Sequence, residues 1–76
     1  MDYDEKELDD TVLALLYLTL HDGARAWKGF DFAVIDRLHE KGFILDPRGK
    51  TKSVEFTEAG LARSKELFEA KFGKRV

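Results

Sequence analysis

The sequence predicts an α+β fold of three helices and a two-stranded antiparallel hairpin, in a single domain spanning 1–76. Three observations predict it. Apolar residues recur at helical spacing in three stretches, over residues 5–21, over residues 31–41, and between Thr57 and Gly73. The stretch FILDPRGKTKSVEF breaks that period with two short runs around a loop holding Pro47 and Gly49. Finally, 76 residues without a cysteine leave room for one small core and no disulfide.

The first helix is expected over 5–21. Asp4 and Glu7 have the spacing of a capping box, and Glu5, Glu7, Asp9 and Asp10 suit a positive helix end. Gly23 is a natural stop just past the last apolar residue. Leu8, Val12, Leu15, Leu16 and Leu20 form one stripe, and Leu13, Tyr17 and Leu18 widen it around most of the circumference. A helix apolar nearly all round needs cover nearly all round. Some fifty other residues are a small cover, so Leu13, Tyr17 and Leu18 are the candidate self-association residues, and a homodimer is the expected partner state.

Residues 24–30 follow. Arg25, Trp27 and Lys28 alternate weakly, which fits a short strand or one helical turn. Trp27 reads as a core or hinge residue with its indole N–H tied down, rather than as a ligand platform.

The second helix is expected over 31–41. Asp31 is a good N-cap, and Phe30 with Ile35 matches a hydrophobic staple. Gly42 and Phe43 fit a Schellman ending, with Phe43 packing back on Leu38. Next comes the hairpin. Phe43, Ile44 and Leu45 make a short apolar strand, Asp46-Pro47 starts a turn, and Ser53 to Phe56 alternates. Thr57 caps the third helix, which Gly73 ends. Gly60, a poor helix former in its first turn, points to a close approach of the hairpin.

Charge is unevenly spread. Residues 1–46 carry 11 acidic and 5 basic side chains, a balance of −6; residues 47–76 carry 4 and 8, a balance of +4, giving −2 in all. Two solvated surfaces of opposite sign explain this, as would pairing with a partner or a second copy. The longest apolar run, 12–18, is far short of the roughly 20 residues a bilayer requires. The acidic N-terminus is the opposite of a secretory leader. A soluble, cytoplasmic protein is expected.

Candidate chemistry is sparse. His21–Asp22 and His39–Glu40 are sequence neighbours, but adjacent helical residues point about 100° apart, so neither pair makes one site. His21 reads as a residue complementing the dipole at a helix C-terminus. Two histidines without cysteines make a weak zinc site, so no metal is expected. Ser53 and Ser64 have no histidine near in sequence, and no two carboxylates are placed in an apolar cleft. No cofactor and no enzymatic activity are expected. The loop PRGKT leads into a strand and lacks the first glycine of a phosphate loop.

The run IDRLHEKGFI, a hairpin, then VEFTEAG resembles a winged-helix domain of the small bacterial regulator type, over residues 31–65. That resemblance implies a recognition helix over 31–41 and a wing at 47–52. The implied DNA contacts are Arg37, Lys41, Arg48, Lys50 and Lys52. Against them, Asp31, Asp36 and Glu40 leave the helix net acidic, and Gly23 to Phe30 leaves eight residues where a DNA reader has a further helix. Three cations at a hairpin tip are also well below the roughly 6–10 phosphate contacts of strong salt-dependent binding, and they equally serve to keep a strand edge soluble. The whole chain, through LALLYLTLHDG, RAWKGFD, DRLHEKG and DPRGK, is similar to a family of short bacterial proteins with a domain of unknown function. The leading expectation is a non-catalytic module acting by protein–protein contacts, chiefly self-association through the first helix. The alternative is a DNA-binding regulator using helix 31–41 and the tip 47–52.

Overall fold

The computed structural model describes residues 2–49 and 52–74. Helix α1 (Glu5–Leu16) lies at its centre and packs on both other helices. Asp4 caps it as expected, its carboxylate accepting the Glu7 N–H at 3.1 Å. The helix stops five residues earlier than the expected 5–21. A one-turn 3-10 helix, Tyr17–Thr19, follows, and Leu20 then turns extended. Thr19 explains the early end. Its hydroxyl donates to the Leu16 carbonyl (3.3 Å) and accepts the Trp27 N–H (3.0 Å), so the next strand holds the last turn open.

Gly23 is therefore not a helix stop. His21 and Arg25 exchange backbone hydrogen bonds of 2.8 and 2.9 Å around a three-residue turn. Asp22 and Gly23 take left-handed conformations there, with φ of 48° and 83°. Strand β1 (Arg25–Trp27) leaves this turn. It pairs antiparallel with β2 (Ser53–Glu55), Arg25 opposite Glu55 and Trp27 opposite Ser53.

The antiparallel pair thus joins the strand near Trp27 to the one at Val54. The other limb of the expected hairpin holds by less: one bridge, Ile44 to Phe56, and the Leu45 N–H on the Glu55 carbonyl at 2.9 Å. Pro47 stops further pairing, because it has no N–H to give. Its carbonyl accepts from Lys28 Nζ instead, at 2.7 Å.

Helix α2 (Phe32–Glu40) opens on Asp31, which stands at the cap position without a side-chain cap bond. Its C-terminus is the expected Schellman ending. Phe43 N–H reaches the Leu38 carbonyl (3.0 Å), Gly42 N–H reaches that of His39 (2.9 Å), and Gly42 has φ 81°.

Helix α3 (Glu58–Phe72) begins on Thr57, whose hydroxyl accepts the Gly60 N–H (2.9 Å) and donates to the Gly42 carbonyl (2.6 Å). Gly60 does mark a close approach: a Cβ there would sit 1.7 Å from the Phe43 carbonyl oxygen. The core between the layers is built on Leu13, Leu16, Leu38, Ile44, Val54 and Phe56. The domain measures 41 × 37 × 19 Å, and its thin dimension is about two helix diameters. Of the second helix that a winged-helix DNA reader has at this point, residues 28–31 show no counterpart.

Candidate interaction surfaces

Three regions carry the charged and exposed apolar side chains. The first is the seam between α1 and α2. Asp9 is 1 % exposed, deeper than any other charged residue described. Its carboxylate takes two bonds from Arg37 Nε (3.0 and 2.9 Å) and one from Arg37 Nη2 (2.7 Å). Lys41 Nζ adds a fourth at 2.8 Å. Glu5 reaches Arg37 from the solvent side at 3.4 Å. The Arg37 guanidinium, with Lys41 beside it, holds the Asp9 carboxyl below its ordinary range although burial opposes this. In return Asp9 pushes Arg37 further up.

The sequence carries a signal for this burial. Asp9, Leu13 and Leu16 follow each other at spacings of four and three, so Asp9 stands on the buried face itself. That face is rotated from the expected stripe. Leu8 is exposed, while Val12 and Leu15 are half-buried.

The second region is the hairpin tip. Arg48 folds back on Asp46, with its backbone N–H 2.9 Å and its Nε 3.3 Å from Oδ1. Those two donors, the backbone one first, hold the Asp46 carboxyl below its usual value. Lys28 spans the loop, donating to the Pro47 and Gly49 carbonyls. Between the tip and α2 lies a cleft of about 200 Å³, lined by Asp36, His39, Glu40, Pro47 and Arg48.

Of the five residues implied as DNA contacts, Arg37 and Lys41 are bound to Asp9, and Arg48 is paired with Asp46 at an exposed site. Lys52 lies at a shallow apolar hollow with Trp27, Lys28 and Gly29. Lys50 lies outside the described residues. Trp27 is not a core residue. It is more than half exposed, and its ring stacks on His21 with centroids 4.5 Å apart. His21 follows the C-cap of the 3-10 helix, and its Nδ1–H donates to the carbonyl of Thr19, the last residue of that helix, at 2.7 Å.

The third region is the end of α1 against α3. Leu13 is fully buried within its own chain, so it is not available to a second copy. The Ser64 hydroxyl, buried beside it, donates to the Leu13 carbonyl at 2.6 Å. Tyr17 is half-buried against Phe68 (centroids 5.3 Å apart), and Phe68 meets Phe72 at 5.4 Å. Leu18 is 65 % exposed and Phe72 48 %.

A family model, "Domain of unknown function (DUF6429)", matches residues 4–74. The chain belongs to the DUF6429 family. A relative described as an uncharacterized protein y4hR, from Sinorhizobium fredii (strain NBRC 101917 / NGR234), is 58 % identical over 72 residues. That alignment covers 95 % of this chain and 97 % of the relative. The expected likeness to a short bacterial family of unknown function is thereby met at full length. No solved structure matches this DUF6429 chain. Among its described residues no group of three or more His, Asp or Glu side chains could hold a metal ion, and no helix is long and apolar enough to cross a membrane.

Proposed function

We propose that the protein is a non-catalytic module that acts by protein–protein contact, chiefly by self-association at the C-terminal end of α1. One observation carries this reading: the single chain leaves large apolar side chains in water. Tyr3, Leu18, Trp27, Phe32, Leu45 and Phe72 all stand exposed. The thin, two-layer shape is the cause, because each helix finds a neighbour on only part of its circumference.

The polar groups fit a non-catalytic role. The Ser64 hydroxyl is buried and given to a main-chain carbonyl. The DNA-contact alternative loses Arg37 and Lys41 to Asp9, and the cleft beside the tip is lined by Asp36 and Glu40. Sedimentation equilibrium tests the reading. The expected result at micromolar concentration is twice the 8.7 kDa chain mass. A folded chain that stays at the single mass at every concentration overturns it.

A further inference from the structure

We infer that the end of the strand pair binds single-stranded nucleic acid, with a base stacked at Trp27 and its phosphates beside Lys28 and Lys52. This goes beyond the self-association reading and does not rest on it.

Three observations meet at this place. First, Trp27 is a fixed aromatic plate at the surface. It follows buried Ala26 on β1 and so lies on the opposite, solvent face of the pair, 53 % exposed. Two groups hold it there. The Thr19 hydroxyl accepts its backbone N–H at 3.0 Å, and the His21 ring stacks on the indole at 4.5 Å. The His21 ring is itself anchored by its Nδ1–H on the Thr19 carbonyl. A side chain ordered before binding loses little freedom on binding. Second, there is open space beside it. A shallow hollow of about 460 Å³ is lined by Trp27, Lys28, Gly29 and Lys52. Gly29 presents bare backbone there, and even a Cβ would meet nothing within 4 Å. A duplex keeps its base faces in its own stack, so a single strand is the form that can offer one to the indole.

Third, charge selects the ligand. Among the described residues the hollow has two lysines and no carboxylate. The recess at the N-termini of α1 and α2 is lined by Asp2, Asp4, Glu5 and Asp31, and the cleft beside α2 by Asp36 and Glu40. Glu55, on β2, is already paired with Arg25 at 3.3 Å. Lys28 spends two of its three N–H donors on the Pro47 and Gly49 carbonyls, which fixes its charge at the rim and leaves one donor. Lys52 forms no ion pair among the described residues. An aromatic plate beside cations takes a base and its phosphates together. A purely apolar partner would leave both ammonium groups without a counter-charge.

The test uses the whole chain. Trp27 is its one tryptophan, so the emission reports this place directly. A short oligothymidylate is expected to quench it, with a Kd of about 10–100 micromolar at physiological salt. The same strand paired with its complement is expected to leave it unchanged. The salt slope should be shallow, about −1.4 for two phosphate contacts at about 0.7 each. By anisotropy of the labelled strand, Trp27→Ala should weaken binding roughly tenfold, and Trp27→Phe should restore most of it. Lys52→Gln should flatten the slope by about 0.7. Circular dichroism should stay native in all three. Emission unchanged through about 1 mM strand, tenfold beyond the weak end of that range, overturns the proposal. So does equal quenching by the duplex or by thymidine monophosphate. Emission that changes when the protein alone is diluted assigns the hollow to a second copy and overturns it too. Sedimentation without nucleic acid bears on self-association alone, so the two readings fail separately.

Discussion

Helix α1 makes two seams of opposite kind. Toward α2 it buries a charge: Asp9 sits under Arg37 and Lys41, with four short hydrogen bonds to its carboxylate. Toward α3 it buries Leu13 and Leu16 against a face whose polar member, Ser64, is satisfied by a carbonyl. The ionic seam contributes its full stabilisation only while Asp9 is ionised. The apolar seam depends on shape and is indifferent to pH. Both avoid an unpaired buried polar atom; among the described residues no buried side-chain nitrogen or oxygen lacks a partner.

The largest expected effect is on shape. In Gly60→Ala the new Cβ meets the Phe43 carbonyl, which is also fixed by the Thr57 N–H at 3.0 Å. Helix propensity favours alanine by about 1 kcal/mol. The clash is with backbone, so overpacking of about 3 kcal/mol or more outweighs that gain. Urea unfolding should show a large net loss. An unchanged or raised midpoint means that α3 can slide away from the hairpin, and the seat is not rigid.

Next comes the charge. Asp9→Asn keeps the shape and removes the partner of two cations. The expected cost is about 2–3 kcal/mol near neutral pH, at or below the low end for breaking a buried pair, because Arg37 and Lys41 still reach water. The pH dependence has a definite sign. The folded pKa of Asp9 lies below its unfolded value, so the unfolded state binds more protons in the acid window. The stabilisation is fully present above the unfolded pKa of about 3.9, and it is lost as pH falls through the folded pKa. Wild type should therefore lose more stability than Asp9→Asn on acidification below about pH 4. Parallel acid limbs for the two proteins would remove Asp9 as the source.

Ser64→Ala sharpens the contrast from the apolar side. One hydroxyl-to-carbonyl bond is lost, at about 1 kcal/mol, with no change in the pH profile relative to wild type. A pH-dependent difference would show that the two seams are coupled through α1. Gly42→Ala should also cost about 1 kcal/mol, since φ is 81° there and no neighbour crowds the new methyl.

The smallest expected effect concerns DNA. With Arg37 and Lys41 held by Asp9, generic duplex should bind no tighter than about 10 micromolar at physiological salt. Sub-micromolar binding with a steep salt slope, flattened by neutralising Arg48 and Lys52, would mean that the tip cations act as phosphate contacts after all.

Much of this was legible one element at a time. Asp4, Thr57 and Gly42 are written into four- to six-residue windows, because caps and left-handed glycines act on backbone atoms close in sequence. Gly60 was readable as an exception to helix propensity. That Arg37 serves Asp9 was not readable, because a cation on a helix looks the same whether its anion is in another molecule or 28 residues away in the same chain. Trp27 was misplaced for a related reason: an aromatic side chain in a short strand can face either layer, and only the pairing register decides which.

The sequence by itself determined three helices, the cap positions before them, the ending of the second, the strand at Val54 and the glycine on which α3 closes. Each follows from local hydrogen bonding or from periodicity within a few turns. The tertiary structure alone decided where α1 ends, which segment β2 pairs with, and that Leu13 is spent inside the chain while Leu18 is left outside. Those outcomes depend on partners far along the chain. Thr19 opens the last turn because Trp27 reaches it. β2 meets β1 along one edge, through Phe56 N–H to the Ala24 carbonyl and Lys28 N–H to that of Lys52, while Leu45 holds its other edge at Glu55. The apolar circumference of α1 is divided between core and surface by a domain only two layers thick.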